Sequence, residues 1–199
     1  MFIAVEGLDG TGKSTLARRL AAHLGAELLR TPDAVFSEIR PLLDRTLAFS
    51  PRAYTLMYAS MVQFASDQAR WHAAEGRHVV VDRYWSSTLA YDAVFRHSDL
   101  PFDSLGDGLF RPDVTLFLEA PLSVRAARIA GRGAASAEDD RGLDPERDAG
   151  LQAAFNWALS GRHVGELIRL DVSDATPSEV LRMALNKVDH DIVLRETLH

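Results

Sequence analysis

Three glycines near the N-terminus alternate with polar residues in a pattern that suits the binding of a polyphosphate. The segment Gly7–Ser14 reads GLDGTGKS, with the spacing G-x4-G-K-[ST], and it directly follows the apolar run Phe2–Val5 and Glu6. Glycines allow backbone conformations that other residues disfavour, so successive N–H groups can point towards anionic oxygens. Lys13 supplies a mobile cation for the β- and γ-phosphates, and the Ser14 hydroxyl can ligate Mg²⁺. The predicted nucleoside triphosphate site consists of Gly7, Asp9, Gly10, Thr11, Gly12, Lys13, Ser14 and Thr15.

A second group of candidate residues follows the apolar run His78–Val81, where Asp82 and Arg83 are adjacent. In an open parallel sheet, the carboxyl ends of the strands face the ligand crevice. A carboxylate at this point can reach the metal–water shell of a bound nucleotide, and Arg83 can hold a second phosphate bidentately. The alternative is an exposed ion pair at a strand end, without any ligand. The next segment, Tyr84–Tyr91, is rich in groups that can hydrogen-bond a sugar or a base.

The stretch Gly131–Asp148 differs from the rest of the chain because it is small, polar and highly charged. Between two helical patterns, such a stretch predicts a mobile lid. Arginines on a lid can stabilise the charge that develops on a transferring phosphoryl group, and lid closure excludes water. The alternative is a solvated charge run that pairs with its own acidic residues. The arginines concerned are Arg128, Arg132, Arg141 and Arg147.

Short apolar runs alternate with helical periodicity along the chain, which predicts βα units and a parallel sheet. The expected strands are Phe2–Val5, Glu27–Leu29, His78–Val81, Val114–Glu119 and Ile168–Asp171. The expected helices are Lys13–Leu24, Val35–Asp44, Pro51–Glu75, Ser86–Phe95, Leu122–Ile129, Asp144–Leu159 and Pro177–Val188. Two of the strands are continuously apolar, as expected where helices cover both faces of a sheet. The prediction is an α/β fold with a parallel sheet of five strands flanked by helices.

The composition indicates an ordinary globular protein. The chain has 199 residues, a net charge of −6, 47% hydrophobic residues and no cysteine. This length suits one well-buried core, so we expect a single domain over residues 1–199. A negative net charge argues against broad nucleic-acid binding, and no apolar run approaches the ~20 residues of a membrane span. We therefore expect a cytoplasmic protein that binds neither nucleic acid nor membrane.

Together, these motifs resemble those of the thymidylate kinases, a family of nucleoside monophosphate kinases with the P-loop NTPase fold. Gly7–Ser14 fits the family's G-x-D/E-G-x-G-K-S/T pattern. The segments Asp82–Tyr84 and Ala90–Tyr91, with Ser87 between them, fit its Asp-Arg-Tyr, Ser and Ala-Tyr motif. Pro112–Glu119 resembles the strand before the family's lid, so the resemblance covers nearly the whole chain. It implies ATP and Mg²⁺ as cofactors, and transfer of the ATP γ-phosphoryl to a deoxynucleoside monophosphate substrate, dTMP.

The resemblance also implies which residues bind the acceptor. Asp9 would accept a hydrogen bond from the sugar 3′-hydroxyl, Tyr91 would crowd the sugar 2′ position, and Arg83 would hold the phosphate. Phe64 would stack on the base. The full set of implied acceptor-binding residues is Asp9, Arg30, Phe64, Gln68, Arg83, Ser87, Thr88 and Tyr91, and the implied metal-binding residues are Ser14 and Asp82.

Catalysis and assembly follow from the same resemblance. Family members with glycine at the position of Gly10 resemble the bacterial subtype, which takes its catalytic arginine from the lid. Here the pair Asp140-Arg141 resembles the family's lid Asp-Arg pair. Relatives dimerise through helices in the region of Pro51–Glu75, so a homodimer is implied. The implied catalytic residues are Lys13, Arg83, Arg132 and Arg141.

Three positions on the acceptor side depart from the family pattern. Gln68 stands where the family has arginine, Thr31 where it has glutamate, and Asp92 where it has glutamine or serine. Glutamine can still donate an amide hydrogen to a base carbonyl, but it carries no charge and has a shorter reach. These departures leave open a kinase of the same family with another nucleotide or a specialised small-molecule acceptor. A regulatory NTPase without an acceptor is a further alternative, against which the arginine-rich lid argues.

Overall fold

The computed structural model describes residues 1–131 and 142–197, and its strands form one parallel sheet. The strands are β1 (Phe2–Gly7), β2 (Glu27–Arg30), β3 (Val79–Asp82), β4 (Val114–Glu119) and β5 (Glu166–Asp171). They lie in the order β2-β3-β1-β4-β5, and every adjacent pair is parallel. The predicted α/β fold with a five-stranded parallel sheet is therefore confirmed.

Helices alternate with these strands along the described part of the chain. They are α1 (Lys13–Leu24), α2 (Ala34–Leu47), α3 (Pro51–Ala74), α4 (Trp85–Phe95), α5 (Phe102–Gly106), α6 (Leu122–Ala130), α7 (Pro145–Ala158) and α8 (Pro177–Thr197). The sequence did not predict α5, because its 5 residues are too few to show a helical period. Helix α8 continues beyond Val188, where the predicted helix ended.

The segment predicted to form the lid is partly helical. Helix α7 begins at Pro145, so the last residues of the stretch Gly131–Asp148 belong to that helix. Its start is fixed by Asp144, whose side chain accepts a hydrogen bond from the Arg147 N–H at 3.0 Å. Residues 132–141 lie outside the described residues.

Helices cover both faces of the sheet. Phe2 and Ala4 of β1 pack with α3 and α4, whereas Ile3 and Val5 point to the other face and pack with α1 and α8. All residues of β1 and β3 are buried. Of the two strands that read as continuous apolar runs, β3 is buried throughout and β4 is buried except at Glu119, as expected where helices cover both faces of a sheet. Within residues 1–131 and 142–197, no helix has the length and apolarity needed to cross a bilayer.

The sheet topology brings the predicted site residues to one edge. Asp82 pairs in register with Val5 of β1 and with Arg30 of β2, so the carboxyl ends of β2, β3 and β1 lie side by side. The chain leaves β1 towards one side of the sheet and later returns to its other side at β4. Ligand crevices of open α/β sheets lie outside the carboxyl ends of the strands at such a reversal point.

Candidate active site

The loop between β1 and α1 has a backbone geometry that suits anion binding. Gly10 has a φ of 84°, and a Cβ atom there would lie 2.7–2.9 Å from atoms of Arg125. Gly12 adopts the left-handed conformation at the N-cap of α1, whose first residue is Lys13. The first N–H groups of a helix lack intrahelical partners and carry the positive end of the helix dipole. This loop can therefore hold a phosphate group with backbone amides.

Four charged or polar side chains meet beside the loop. Arg83 and Tyr91 both hydrogen-bond the Asp9 carboxylate, and Lys13 Nζ lies 3.7 Å from Asp9 Oδ1. Lys13 Nζ also donates a hydrogen bond to the carbonyl oxygen of Leu8 at 2.7 Å. Burial raises the pKa of the Asp9 carboxyl, but Arg83 and Lys13 lower it by more, so its pKa lies well below the usual range. Asp9 is therefore an anion at neutral pH and pairs with two cations.

The two cations differ in how firmly they keep their charge. Burial and the nearby Arg83 lower the pKa of Lys13 to about 8, although Asp9 and Asp82 act in the opposite direction. Burial also disfavours the charge on Arg83, but Asp9 outweighs this effect and raises the pKa of Arg83 above its usual range. A bound polyphosphate would add negative charge beside Lys13 and favour its protonated form.

Asp82 and Ser14 are the residues that could organise a magnesium ion. Asp82 is 4% exposed, and its Oδ1 has no hydrogen-bond partner among the described residues. Its Oδ2 lies 3.9 Å from Arg30 Nε. A buried carboxylate oxygen without a partner is costly unless a ligand or water satisfies it. Ser14 lines the same cleft at the start of α1. One carboxylate and one hydroxyl, together with phosphate oxygens and water, are the ligands that Mg²⁺ takes in nucleotide sites.

A cleft of about 630 Å³ runs from the loop along the sheet edge to α2 and α3. Most of the site residues that the sequence predicted line this cleft. They are Asp9, Gly10, Gly12, Lys13, Ser14, Thr15, Arg30, Arg83, Ser87, Thr88 and Tyr91. Gly7, Thr11 and Asp82 are buried and do not line it. The cleft is thus continuous from the predicted donor residues to the predicted acceptor residues.

Two predicted acceptor residues lie away from this cleft. Phe64 is 48% exposed on α3, and neither it nor Gln68 lines the cleft. The aromatic ring that α3 contributes to the lining is Tyr58, and Arg96, the C-cap residue of α4, also lines the cleft. Helical spacing predicts which residues share a face, but it does not say which face meets the cleft. The roles assigned to Phe64 and Gln68 stay predictions, as do those of Arg132 and Arg141, which lie outside the described residues.

Arg96 occupies a polar cage that the sequence did not reveal. Its guanidinium lies over the rings of Tyr54 and Tyr58, at 5.3 and 5.2 Å from their centroids. Its Nε donates to Thr55 Oγ1 at 3.0 Å and lies 3.6 Å from Asp92 Oδ1. Asp92 is buried, and its Oδ2 accepts a hydrogen bond from the Ser98 N–H at 3.2 Å. Asp92, which departs from the family pattern, therefore holds Arg96 and the residues after α4 in place. It does not line the cleft.

Arg125 supports the loop from below. It is 1% exposed, pairs with the buried Asp148, and donates hydrogen bonds to the carbonyl oxygens of Asp9 and Ala120, both at 3.2 Å. Asp148 also accepts a hydrogen bond from Gln152 Nε2 at 2.7 Å. The sequence analysis did not single out Arg125. Its partners lie in the loop after β1, in the segment between β4 and α6, and in α7, so only tertiary packing could identify the pair.

The sequence pattern of one protein family, described as Thymidylate kinase, matches residues 5–147. A thymidylate kinase of Cereibacter sphaeroides is 35% identical over 198 aligned positions, which cover 90% of this chain and 89% of the relative. One of Alkalilimnicola ehrlichii is 32% identical and covers 98% of this chain and 94% of the relative. The solved thymidylate kinase of Candida albicans has a TM-score of 0.75 at 24% identity, covering 96% of this chain and 91% of that one. The last similarity supports the fold.

Proposed function

The chain belongs to the thymidylate kinase family, and from this we propose how its cleft transfers a phosphoryl group. The protein is an ATP-dependent nucleoside monophosphate kinase that phosphorylates dTMP. We place ATP on the loop at the N-terminus of α1 and dTMP at the sheet edge beside Arg83. The observation that carries this arrangement is the Lys13–Asp9–Arg83 cluster, which joins the two ends of one cleft.

At the donor end, the backbone amides of the loop and Lys13 would hold the β- and γ-phosphates. Lys13 is buried and its ammonium group is already positioned by the Leu8 carbonyl oxygen. A cation held in a low-dielectric site stabilises developing negative charge without first reorganising. Mg²⁺, when bound, would neutralise phosphate charge. Ser14 and Asp82, whose Oδ1 has no hydrogen-bond partner in the part of the chain that the structure describes, are suited to hold it.

At the acceptor end, Arg83 would hold the dTMP phosphate in line with the γ-phosphate. The acceptor phosphate is already an adequate nucleophile, so the protein contributes positioning and charge stabilisation rather than covalent chemistry. Tyr91 and Asp9, which hydrogen-bond each other, are placed to meet the sugar. Ser87 and Thr88 line the cleft in the first turn of α4 and would lie beside the base. Arg132 and Arg141 are proposed to complete the charge stabilisation from the lid.

The phosphoryl-transfer assignment can be tested with Lys13→Ala and a panel of acceptors. Removing one preorganised charge donor from an active site lowers turnover by roughly 100- to 1000-fold. We expect this loss for Lys13→Ala with an unchanged circular dichroism spectrum. The panel comprises dTMP, dUMP, dCMP, UMP and thymidine. Turnover of another compound but not of dTMP would favour a different acceptor, and ATP hydrolysis unaffected by any acceptor would favour a regulatory NTPase.

The ring that contacts the base can be identified by comparing two substitutions on α3. Tyr58 lines the cleft, whereas Phe64 does not. Base–aromatic stacking is worth ~1–3 kcal/mol, so losing the stacking ring should raise KM for dTMP by about 5- to 150-fold. A rise with Tyr58→Ala and none with Phe64→Ala would assign the role to Tyr58. The opposite result would support the role of Phe64 implied by the family resemblance.

We also propose that the protein forms a homodimer through α2 and α3. Val35, Ile39 and Leu42 lie on one face of α2 and are 67%, 43% and 58% exposed. On α3, Phe64 and Trp71 are seven residues apart and are 48% and 57% exposed. Grouped exposed apolar side chains of this size mark interaction surfaces more often than single ones do. A cytoplasmic location stays a proposal that follows from the nucleotide substrate.

Sedimentation of two matched tryptophan variants tests the dimer. Trp71 on α3 and Trp157 on α7 are both 57% exposed. Trp71→Glu would place a charge inside the proposed interface and should convert dimers to monomers, whereas Trp157→Glu should leave them intact. A wild-type protein that sediments as a monomer at micromolar concentration would contradict the proposal.

A further inference from the structure

Arg83 has a backbone conformation that its side chain disfavours. Its φ is +70°, in the left-handed region. Residues with a Cβ are uncommon there, because that atom crowds the following carbonyl oxygen. A glycine would adopt this conformation without strain but would carry no guanidinium. Strained backbone at a functional residue persists where the surrounding structure holds it from several sides.

Three hydrogen bonds, two from β1 and one from the residue after β2, hold the backbone around Arg83. Its N–H donates to the carbonyl oxygen of Val5 on β1 at 3.0 Å. Its own carbonyl oxygen accepts a hydrogen bond from the hydroxyl of Thr31, which follows β2. The next residue, Tyr84, donates its N–H to the Glu6 carboxylate at 3.0 Å. The peptide groups on both sides of Arg83 are therefore fixed by partners far away in the sequence.

Glu6 is well placed to act as such an anchor. Its side chain belongs to a residue that is 1% exposed, and it accepts hydrogen bonds from the Tyr84 and Ser87 N–H groups and from the Ser87 hydroxyl. These N–H groups belong to the first turn of α4, which lacks a side-chain cap at its own N-cap residue. Burial raises the pKa of Glu6 above its usual range, although these hydrogen bonds and Arg83 act in the opposite direction. The carboxylate thus caps α4 from the neighbouring strand.

Thr31 is the second anchor, and it occupies one of the positions that depart from the family pattern. It is 5% exposed, and its N–H donates to the Asp82 carbonyl oxygen at 3.1 Å. Thr31 therefore holds two consecutive carbonyl groups: its N–H binds that of Asp82, and its hydroxyl binds that of Arg83. A threonine supplies a short donor at this point, whereas a glutamate side chain would supply an acceptor only.

We propose that Glu6 and Thr31 are positioning residues that hold Arg83 in its strained conformation and aim its guanidinium at the acceptor phosphate. This inference rests on the proposed function, in which Arg83 holds that phosphate. Neither residue has to contact the phosphate itself. Replacing either residue should change the orientation of the Arg83 side chain. Binding of the acceptor should therefore weaken, whereas binding of ATP should not change.

The test compares Thr31→Val with Thr31→Ser and with Thr115→Val. Thr115 is a matched control because it is also buried and also donates its hydroxyl to a backbone carbonyl, that of Val164. We expect Thr31→Val to raise KM for dTMP about 10-fold or more and to lower kcat, while KM for ATP stays within about twofold. Serine should restore both values. Thr115→Val should lower the melting temperature without changing either KM.

A crystal structure of Thr31→Val separates positioning from direct contact. We expect the φ of Arg83 to leave the left-handed region or its guanidinium to turn away from Asp9. A KM effect with Arg83 unmoved would overturn the proposal, and so would a kinetic profile equal to that of Thr115→Val. Glu6→Gln provides the same readouts if Thr31→Val does not fold. Wild-type protein that fails to phosphorylate dTMP would instead refute the proposed function, while the crystal structure would still report on Arg83.

Discussion

Replacing Arg125 with methionine should destabilise the protein strongly, although the residue lies outside the cleft. Arg125 is 1% exposed, and its partner Asp148 is 4% exposed. Removing one member of a buried ion pair leaves the other charge uncompensated and costs ~3–5 kcal/mol. At ~2–4 °C per kcal/mol for a chain of this size, the melting temperature should fall by about 6–20 °C. Urea denaturation followed by circular dichroism measures the change in the free energy of unfolding.

A double variant shows whether the buried charge causes this loss. Arg125→Met combined with Asp148→Leu removes both charges and should recover most of the stability. The carbonyl oxygens of Asp9 and Ala120 would still lose their donor, which leaves a deficit of ~1–2 kcal/mol. Arg162→Met is the exposed control: its pair with Asp107 is more than half exposed on both sides and should cost less than ~1 kcal/mol. Equal destabilisation in the single and double variants would refute the reasoning.

Other predictions concern the phosphate-binding loop and one helix cap. Because burial lowers the pKa of Lys13 to about 8 and a bound triphosphate favours its charged form, ATP binding should take up protons increasingly from pH 7 to 9. Calorimetry in buffers of different ionisation enthalpy measures this uptake, which should vanish in Lys13→Met. Gly10→Ala would press a Cβ against Arg125 and should abolish turnover. Gly76 has a similar φ of +75° but has open space around it, so Gly76→Ala should lower the free energy of unfolding by ~1–2 kcal/mol and leave turnover unchanged. Thr176→Ala breaks a capping box and should cost ~1 kcal/mol in urea denaturation.

The fold was accessible from the sequence because its signals are local. Apolar runs predicted the five strands, and all five lie in the parallel sheet. Helical periodicity marked every described helix of nine residues or more. The boundaries of β1 differed because Glu6, a charged residue, ends the apolar run but stays in the buried strand. The short helix α5 was missed because 5 residues cannot show a period.

The acceptor side of the cleft was less accessible. The motif Gly7–Ser14 and the pair Asp82-Arg83 predicted residues most of which line one cleft, because a parallel sheet brings the carboxyl ends of its strands together. The spacing could not tell that α3 turns Tyr58 rather than Phe64 towards that cleft. Nor could it show that Asp92 is used to hold Arg96. Both depend on how a helix is rotated against its neighbours.

The sequence by itself determined the phosphate-binding loop, the order of strands and helices, and the family. Each of these depends on the types and spacing of residues that are close together in the chain. The tertiary structure alone decided that Glu6 caps α4, that Thr31 holds the Arg83 carbonyl and that Arg125 pairs with Asp148. The partners in these contacts are 78, 52 and 23 residues apart. A buried polar group finds its partner through the packing of the whole sheet and its helices, which no local pattern encodes.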